Sequence, residues 1–151
     1  MQKYGNEQTQ EHCLLLVEDQ LDLAELVEDA LASDGNTITH AESVFGALSL
    51  LRNEQFDAAI LDIELGDGVV FPVADRLAEL GVPFLFASAV YDQGVSARHQ
   101  NARLIAKPFH IPQLQEAVNQ TLRLEEDTSE SKSRGLTSVA VFFFQKQNHK
   151  H

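Results

Sequence analysis

Residues 13–19 read Cys-Leu-Leu-Leu-Val-Glu-Asp, an unbroken apolar run that stops at two adjacent carboxylates. A strand with one wet face alternates apolar and polar residues, whereas a strand covered on both faces reads as continuous apolar sequence. The run is therefore predicted to be an interior strand of a parallel sheet. Glu18 and Asp19 then stand at its carboxyl end, the edge along which open α/β sheets build their binding sites.

The pattern continues outward from this strand. Leu23, Ala24, Leu26, Val27, Ala30 and Leu31 recur at helical spacing, with Asp22, Glu25, Glu28 and Asp29 between them. They predict a helix over Leu21–Ser33 that stops at Asp34-Gly35. A second strand is predicted over Thr37–Ala41, followed by Ser43 as a helix N-cap and the apolar stripe Val44, Ala47, Leu48 and Leu51. Ala58–Leu61 is the third strand, with Gly66-Asp67-Gly68 as its loop. Phe71, Ala74, Leu77, Ala78 and Leu80 make a third helix that breaks at Gly81. Residues 84–87 and 103–106 supply two further strands, and Leu114, Ala117, Val118, Thr121 and Leu122 line a last helix. Residues 91–102 carry few apolar positions and form the weakest repeat. Such alternation calls for an α/β fold: a doubly wound five-stranded parallel sheet in the order 2-1-3-4-5, with right-handed crossovers and helices on both faces.

With 151 residues and 44% hydrophobic content, the chain fits one domain with a real core. That domain is expected over 12–124, after a flexible arm at 1–11 and before a polar linker at 125–135. The remainder, 136–151, holds the β-branched and aromatic run TSVAVFFF at 137–144 and then a basic end. It reads as a strand that packs on a sheet edge, or as one that docks a partner or a second copy of the chain as a homodimer. A formal charge of −12 argues against general binding to nucleic acid or anionic membrane, which needs a basic face. No run approaches membrane-spanning length and the N-terminal residues lack an apolar signal core, so a soluble, cytoplasmic protein is expected. Cys13 is the one cysteine, which leaves no intrachain disulfide, and it is expected to pack as a small hydrophobe.

Glu18, Asp19, Asp62, Ser88 and Lys107 each end or closely follow a predicted strand, so the topology gathers them at one edge. Taken singly they have ordinary explanations: the acidic pair as a helix cap, Asp62 as a turn residue. Together, three carboxylates, a hydroxyl and an ammonium suit a divalent cation and a phosphoryl group. An aspartate attacks phosphorus when a cation and an ammonium offset the charge that builds on the transferring oxygens. Mg²⁺ is hard, oxygen-seeking and usually bound by one or two carboxylates plus waters. Asp19 and Asp62 are the expected direct ligands, with Glu18 holding a coordinated water and the Glu64 backbone carbonyl completing the set. Lys107, its direction fixed by Pro108, is expected to contact one phosphoryl oxygen and Ser88 another.

These motifs carry a resemblance. Residues 13–124, about three quarters of the chain, resemble the receiver domain of two-component response regulators, a CheY-like, flavodoxin-like fold. LLLVED resembles the family's first strand with its acidic pair, AAILDIEL the phosphoacceptor strand, FLFAS the strand bearing the switch hydroxyl, and LIAKPF the lysine-proline strand. The resemblance implies that Asp62 takes a phosphoryl group from a histidine kinase with Mg²⁺, with Glu18 and Asp19 as the acidic pair, Ser88 as the hydroxyl and Lys107 as the lysine. Two positions depart from the family. Leu104 stands where receivers usually carry Tyr or Phe, three residues before the lysine, so the signal is expected to pass through the loop at 89–94 instead. Glu64 brings an extra carboxylate to the pocket mouth or points into solvent. Residues 86–91, FASAVY, loosely resemble the Phe-Ala-Thr-Gly-Tyr signature of a group of single-domain regulators.

The leading expectation is thus a stand-alone receiver, not a turnover enzyme, that acts through contacts with a downstream protein. A phosphorelay intermediate and a phosphate sink are alternatives that carry the same motifs. Two other classes differ: a receiver-like scaffold that binds a partner without phosphorylation, and an aspartate-nucleophile phosphohydrolase. The hydrolase is disfavoured because Glu64 replaces the second aspartate and no cap domain is evident.

Overall fold

The computed structural model of the chain describes residues 11–89, His99 and 102–127. In chain order the elements are β1 (Cys13–Val17), α1 (Leu21–Ser33), β2 (Thr37–Ala41), α2 (Val44–Asn53), β3 (Ala58–Leu61), β4 (Glu64–Leu65), β5 (Gly68–Val69), α3 (Phe71–Leu80), β6 (Phe84–Ser88), β7 (Arg103–Ala106) and α4 (Ile111–Asp127). The main sheet is parallel and ordered β2-β1-β3-β6-β7, the predicted 2-1-3-4-5.

Strand alternation divides the core in two. Leu15, Val17, Ala59, Leu61, Phe86 and Leu104 face α2 and α3, where Ala47, Leu51, Val73, Ala74 and Leu77 complete one apolar layer. Leu14, Leu16, Ala58, Ile60, Leu85, Ala87 and Ile105 face α1 and α4, meeting Ala24, Val27, Leu31, Leu114, Ala117, Val118 and Leu122. Both faces of β1 and β3 are therefore dry, which is why those strands read as continuous apolar runs.

Local chemistry explains the helix ends. Ser43 Oγ accepts a hydrogen bond from Gly46 N–H at 2.9 Å and starts α2. Gly81, at φ 75°, occupies the left-handed region and ends α3.

Four details differ from the expectation. The loop after β3 contains a two-stranded antiparallel hairpin, Glu64 opposite Val69 and Leu65 opposite Gly68. β6 extends one residue further, to include Ser88. Helix α4 runs on to Asp127, past the 124 boundary. Cys13 is exposed rather than packed, because it is the first residue of β1 and lies at the open end of the strand. The arm at 1–10, residues 90–98 and 100–101, with nearly all of the loop at 89–94 expected to carry the signal, and residues 128–151 with their linker and strand lie outside the described residues.

Candidate functional site

The main chain sets the site. Val17 pairs with Ala41 on one side and with Leu61 on the other. Each ladder continues one residue further: Glu18 N–H donates to the Ala41 carbonyl at 3.0 Å and Asp62 N–H to the Val17 carbonyl at 2.9 Å. Glu18 and Asp62 are thereby held side by side at adjacent strand ends. On β7, Ala106 pairs with Ser88, and Lys107 N–H donates to the Ser88 carbonyl at 3.0 Å. The peptide bond between Lys107 and Pro108 is cis.

From that anchor the Lys107 side chain crosses the carboxyl edge of the sheet. Its Nζ stands 2.9 Å from Glu18 Oε1 and 3.2 Å from Asp62 Oδ2. Glu18, Asp62 and Ser88 are all buried, at 3%, 7% and 2% exposure. Ligand oxygens of Glu18, Asp19 and Asp62 lie within 4.8 Å of one another, and Asp19 is the most open to solvent.

Three carboxylates gather by one ammonium, which contacts the two buried ones, so negative charge is in surplus there. Burial pushes the Glu18 carboxyl above the usual glutamate range and the Asp62 charge pushes the same way, against the Lys107 ammonium and the Gln20 N–H. A hard divalent cation relieves such a surplus, and an all-oxygen donor set suits Mg²⁺. Gln20 is the N-cap of α1 and makes no side-chain capping bond, so the acidic pair lies just ahead of the cap. Glu18 Oε2 accepts a hydrogen bond from Gln20 N–H at 3.1 Å, so it serves the start of the helix as well as contacting Lys107.

The predicted residues Glu18, Asp19, Asp62 and Lys107 are thus brought together. Ser88 closes β6, the strand beside β3, where Phe86 pairs with Leu61. Glu64 lies in β4 with its side chain exposed. Leu104 is buried and pairs in register with Phe86.

Two supporting residues were not foreseen. His40 Nε2 stands 2.7 Å from the Glu18 carbonyl and donates to it from β2, fixing the backbone of the acidic pair. Asp67, in the hairpin turn, accepts from Val44 N–H at 2.9 Å and from Phe45 N–H at 3.1 Å, tying the loop after Asp62 to the start of α2. Both contacts span more than 20 positions in sequence, so no local pattern signals them.

Comparison with known proteins gives a consistent answer. The family model described as response regulator receiver domain matches residues 14–119. The sensory transduction protein LytR of Streptococcus agalactiae is 31% identical over 125 residues, covering 78% of this chain and 51% of that protein. The response regulator protein PilR of Pseudomonas aeruginosa is 30% identical over 121 residues, covering 77% of this chain and 27% of its own length. The chain thus spans about half or less of these relatives. Among solved structures, the non-phosphorylated HemR receiver domain of Leptospira biflexa is 30% identical with a TM-score of 0.69, covering 75% of this chain and 95% of that one. TrrA of Thermotoga maritima, solved in complex with Mg²⁺ and BeF, is 24% identical with a TM-score of 0.65, covering 74% of this chain and 99% of its own; at that identity the likeness is one of fold.

Proposed function

Since the chain belongs to the response regulator receiver domain family, we propose that Asp62 accepts a phosphoryl group from a histidine kinase and that the resulting change is read by a protein partner in the cytoplasm. The supporting observation is the Lys107 ammonium set between Glu18 and Asp62, with Asp19 beside them. Asp62 is held by its own N–H on Val17, so its carboxylate approaches a donor phosphorus from a fixed strand end. Lys107 already contacts Asp62 Oδ2 and is placed to follow the charge onto a phosphoryl oxygen. Ser88 closes the neighbouring strand as a hydroxyl donor for another.

Asp19 and Asp62, with Glu18 through water and the Glu64 backbone carbonyl, would hold Mg²⁺. When bound, the cation supplies positive charge to the transferring oxygens. The role is that of a signalling acceptor rather than an enzyme turning over a separate substrate.

The test is labelling with acetyl phosphate in Mg²⁺, read as intact mass. Wild type gains one phosphoryl group, while Asp62→Asn and wild type in EDTA gain none. Equal labelling of wild type and Asp62→Asn would overturn the assignment.

A further inference from the structure

Every polar atom of Glu18 has a partner in the chain. Its N–H donates to the Ala41 carbonyl at 3.0 Å, its Oε1 lies 2.9 Å from Lys107 Nζ and its Oε2 accepts from Gln20 N–H at 3.1 Å. The carbonyl oxygen is the one that the sheet itself does not serve. In a parallel pair the bonds of one residue slant to two different residues of the partner strand, its N–H to one and its C=O to the residue two places on. With the N–H on Ala41, the next main-chain donor in line is Ser43. But β2 ends at Ala41, and Ser43 is already the N-cap of α2. Glu18 is buried, so a carbonyl left there without a donor is costly.

His40 takes the place of the missing donor. It pairs in register with Leu16, and its ring reaches past that register to put Nε2 2.7 Å from the Glu18 carbonyl oxygen. A carbonyl oxygen carries no proton, so the ring nitrogen donates. Neutral imidazole with its proton on Nε2 and imidazolium both supply that N–H, so the bond does not depend on the charge of the ring.

The same peptide carries Asp19. Glu18 C=O and Asp19 N–H lie in one plane, so a donor on that oxygen fixes the direction in which the chain leaves β1. Among the described residues the Asp19 carboxylate makes no hydrogen bond or ion pair, whereas Glu18 and Asp62 both meet Lys107. Its place within 4.8 Å of the Glu18 and Asp62 oxygens is therefore set through the main chain.

We propose that His40 is a positioning residue for the cation site: its Nε2–H locks the Glu18-Asp19 peptide and thereby holds the Asp19 carboxylate beside Asp62. Groups that orient a metal ligand without touching the metal commonly control its affinity. This rests on the reading of Asp19 and Asp62 as cation ligands.

The experiment titrates Mg²⁺ into the full chain and follows backbone amide resonances at the acidic edge by NMR, in wild type, His40→Met and His40→Gln. Met and Gln reach equally far, but only the Gln amide carries an N–H where Nε2 stood. Mg²⁺ is expected to bind His40→Met about tenfold more weakly than wild type and His40→Gln within about twofold of it. In EDTA the Glu18 carbonyl carbon resonance should shift in His40→Met and hold its position in His40→Gln. His40→Asn, whose amide stops short of the carbonyl, should repeat the loss with a polar side chain and so replaces His40→Met if that variant does not fold. Wild-type affinity in His40→Met or His40→Asn overturns the positioning role and leaves the cation site intact. A loss in His40→Gln as large as in His40→Met also overturns it, since the donor would then not matter. A wild-type spectrum that Mg²⁺ does not move overturns the cation site and this role with it.

Discussion

Lys107 is the residue on which the pocket balances. Its ammonium, 12% exposed, is shared between Glu18 and Asp62, and removing one partner of a buried ion pair leaves the other charge uncompensated. Lys107→Met is expected to destabilise the metal-free protein by about 3 kcal/mol, measured by urea unfolding in EDTA. Glu18 behaves in the opposite way. Its carboxyl titrates above the ordinary value of 4.5 because it is buried beside Asp62. The folded chain therefore holds that proton more tightly than the unfolded chain, and stability falls as pH rises from about 4.5 through the raised value. Below 4.5 both states are protonated and the penalty vanishes. Glu18→Gln keeps an acceptor for Lys107 while removing the charge. Its stability in EDTA should stay flatter across this window than that of wild type, and its affinity for Mg²⁺ should drop. A variant that declines as steeply as wild type would show that the strain lies elsewhere.

Among the elements, the hairpin of β4 and β5 has a structural task. Asp67 at its turn caps α2 by two backbone N–H groups, which hold its carboxyl below the ordinary value of 3.8. A depressed pKa means that the contribution is present above about 3.8 and is lost as pH falls through the folded value. Asp67→Ala should raise amide hydrogen exchange at Val44 and Phe45 at neutral pH, and the difference from wild type should shrink in acid. Unchanged exchange at those two amides would remove the capping role. Neither the hairpin nor this cap was legible in the sequence. Two-residue strands carry no periodicity, and the cap joins positions 22 and 23 apart. By contrast, β1, β2, β3, β7 and α1 were legible to the residue, because each is bounded by an abrupt change from apolar to polar sequence or by a glycine stop. Glu125, Glu126 and Asp127 read as linker, yet they continue α4, since a further helical turn needs only backbone hydrogen bonds and tolerable propensity. The convergence of Glu18, Asp19, Asp62 and Lys107 was legible because topology alone sends the carboxyl ends of parallel strands to one edge. The sharing of Lys107 between Glu18 and Asp62 depends on side-chain reach, which no sequence pattern encodes.

For the whole molecule, two apolar layers support a pocket in which burial disfavours the charged form of Glu18. Leu77 is fully buried in the layer under α2 and α3, and Leu77→Ala should cost about 2–5 kcal/mol in urea unfolding. Against that scaffold the proposed Mg²⁺ would act as a stabilising ligand. At about one hundred times its dissociation constant it should add about 2.7 kcal/mol to the unfolding free energy. Thermal unfolding with and without Mg²⁺ checks this, and the gain should be lost in Asp19→Asn.

Cys13 stands exposed at one end of β1, and Glu18 begins at the other. Five strand residues lie along this rod, which puts the thiol about 16 Å from the acidic edge. As the chain's one cysteine, it takes a maleimide fluorophore or nitroxide at a single, stiffly mounted place. Paramagnetic broadening from that label then serves as a ruler along the strands, reporting motion at the far end of the sheet without a probe touching it.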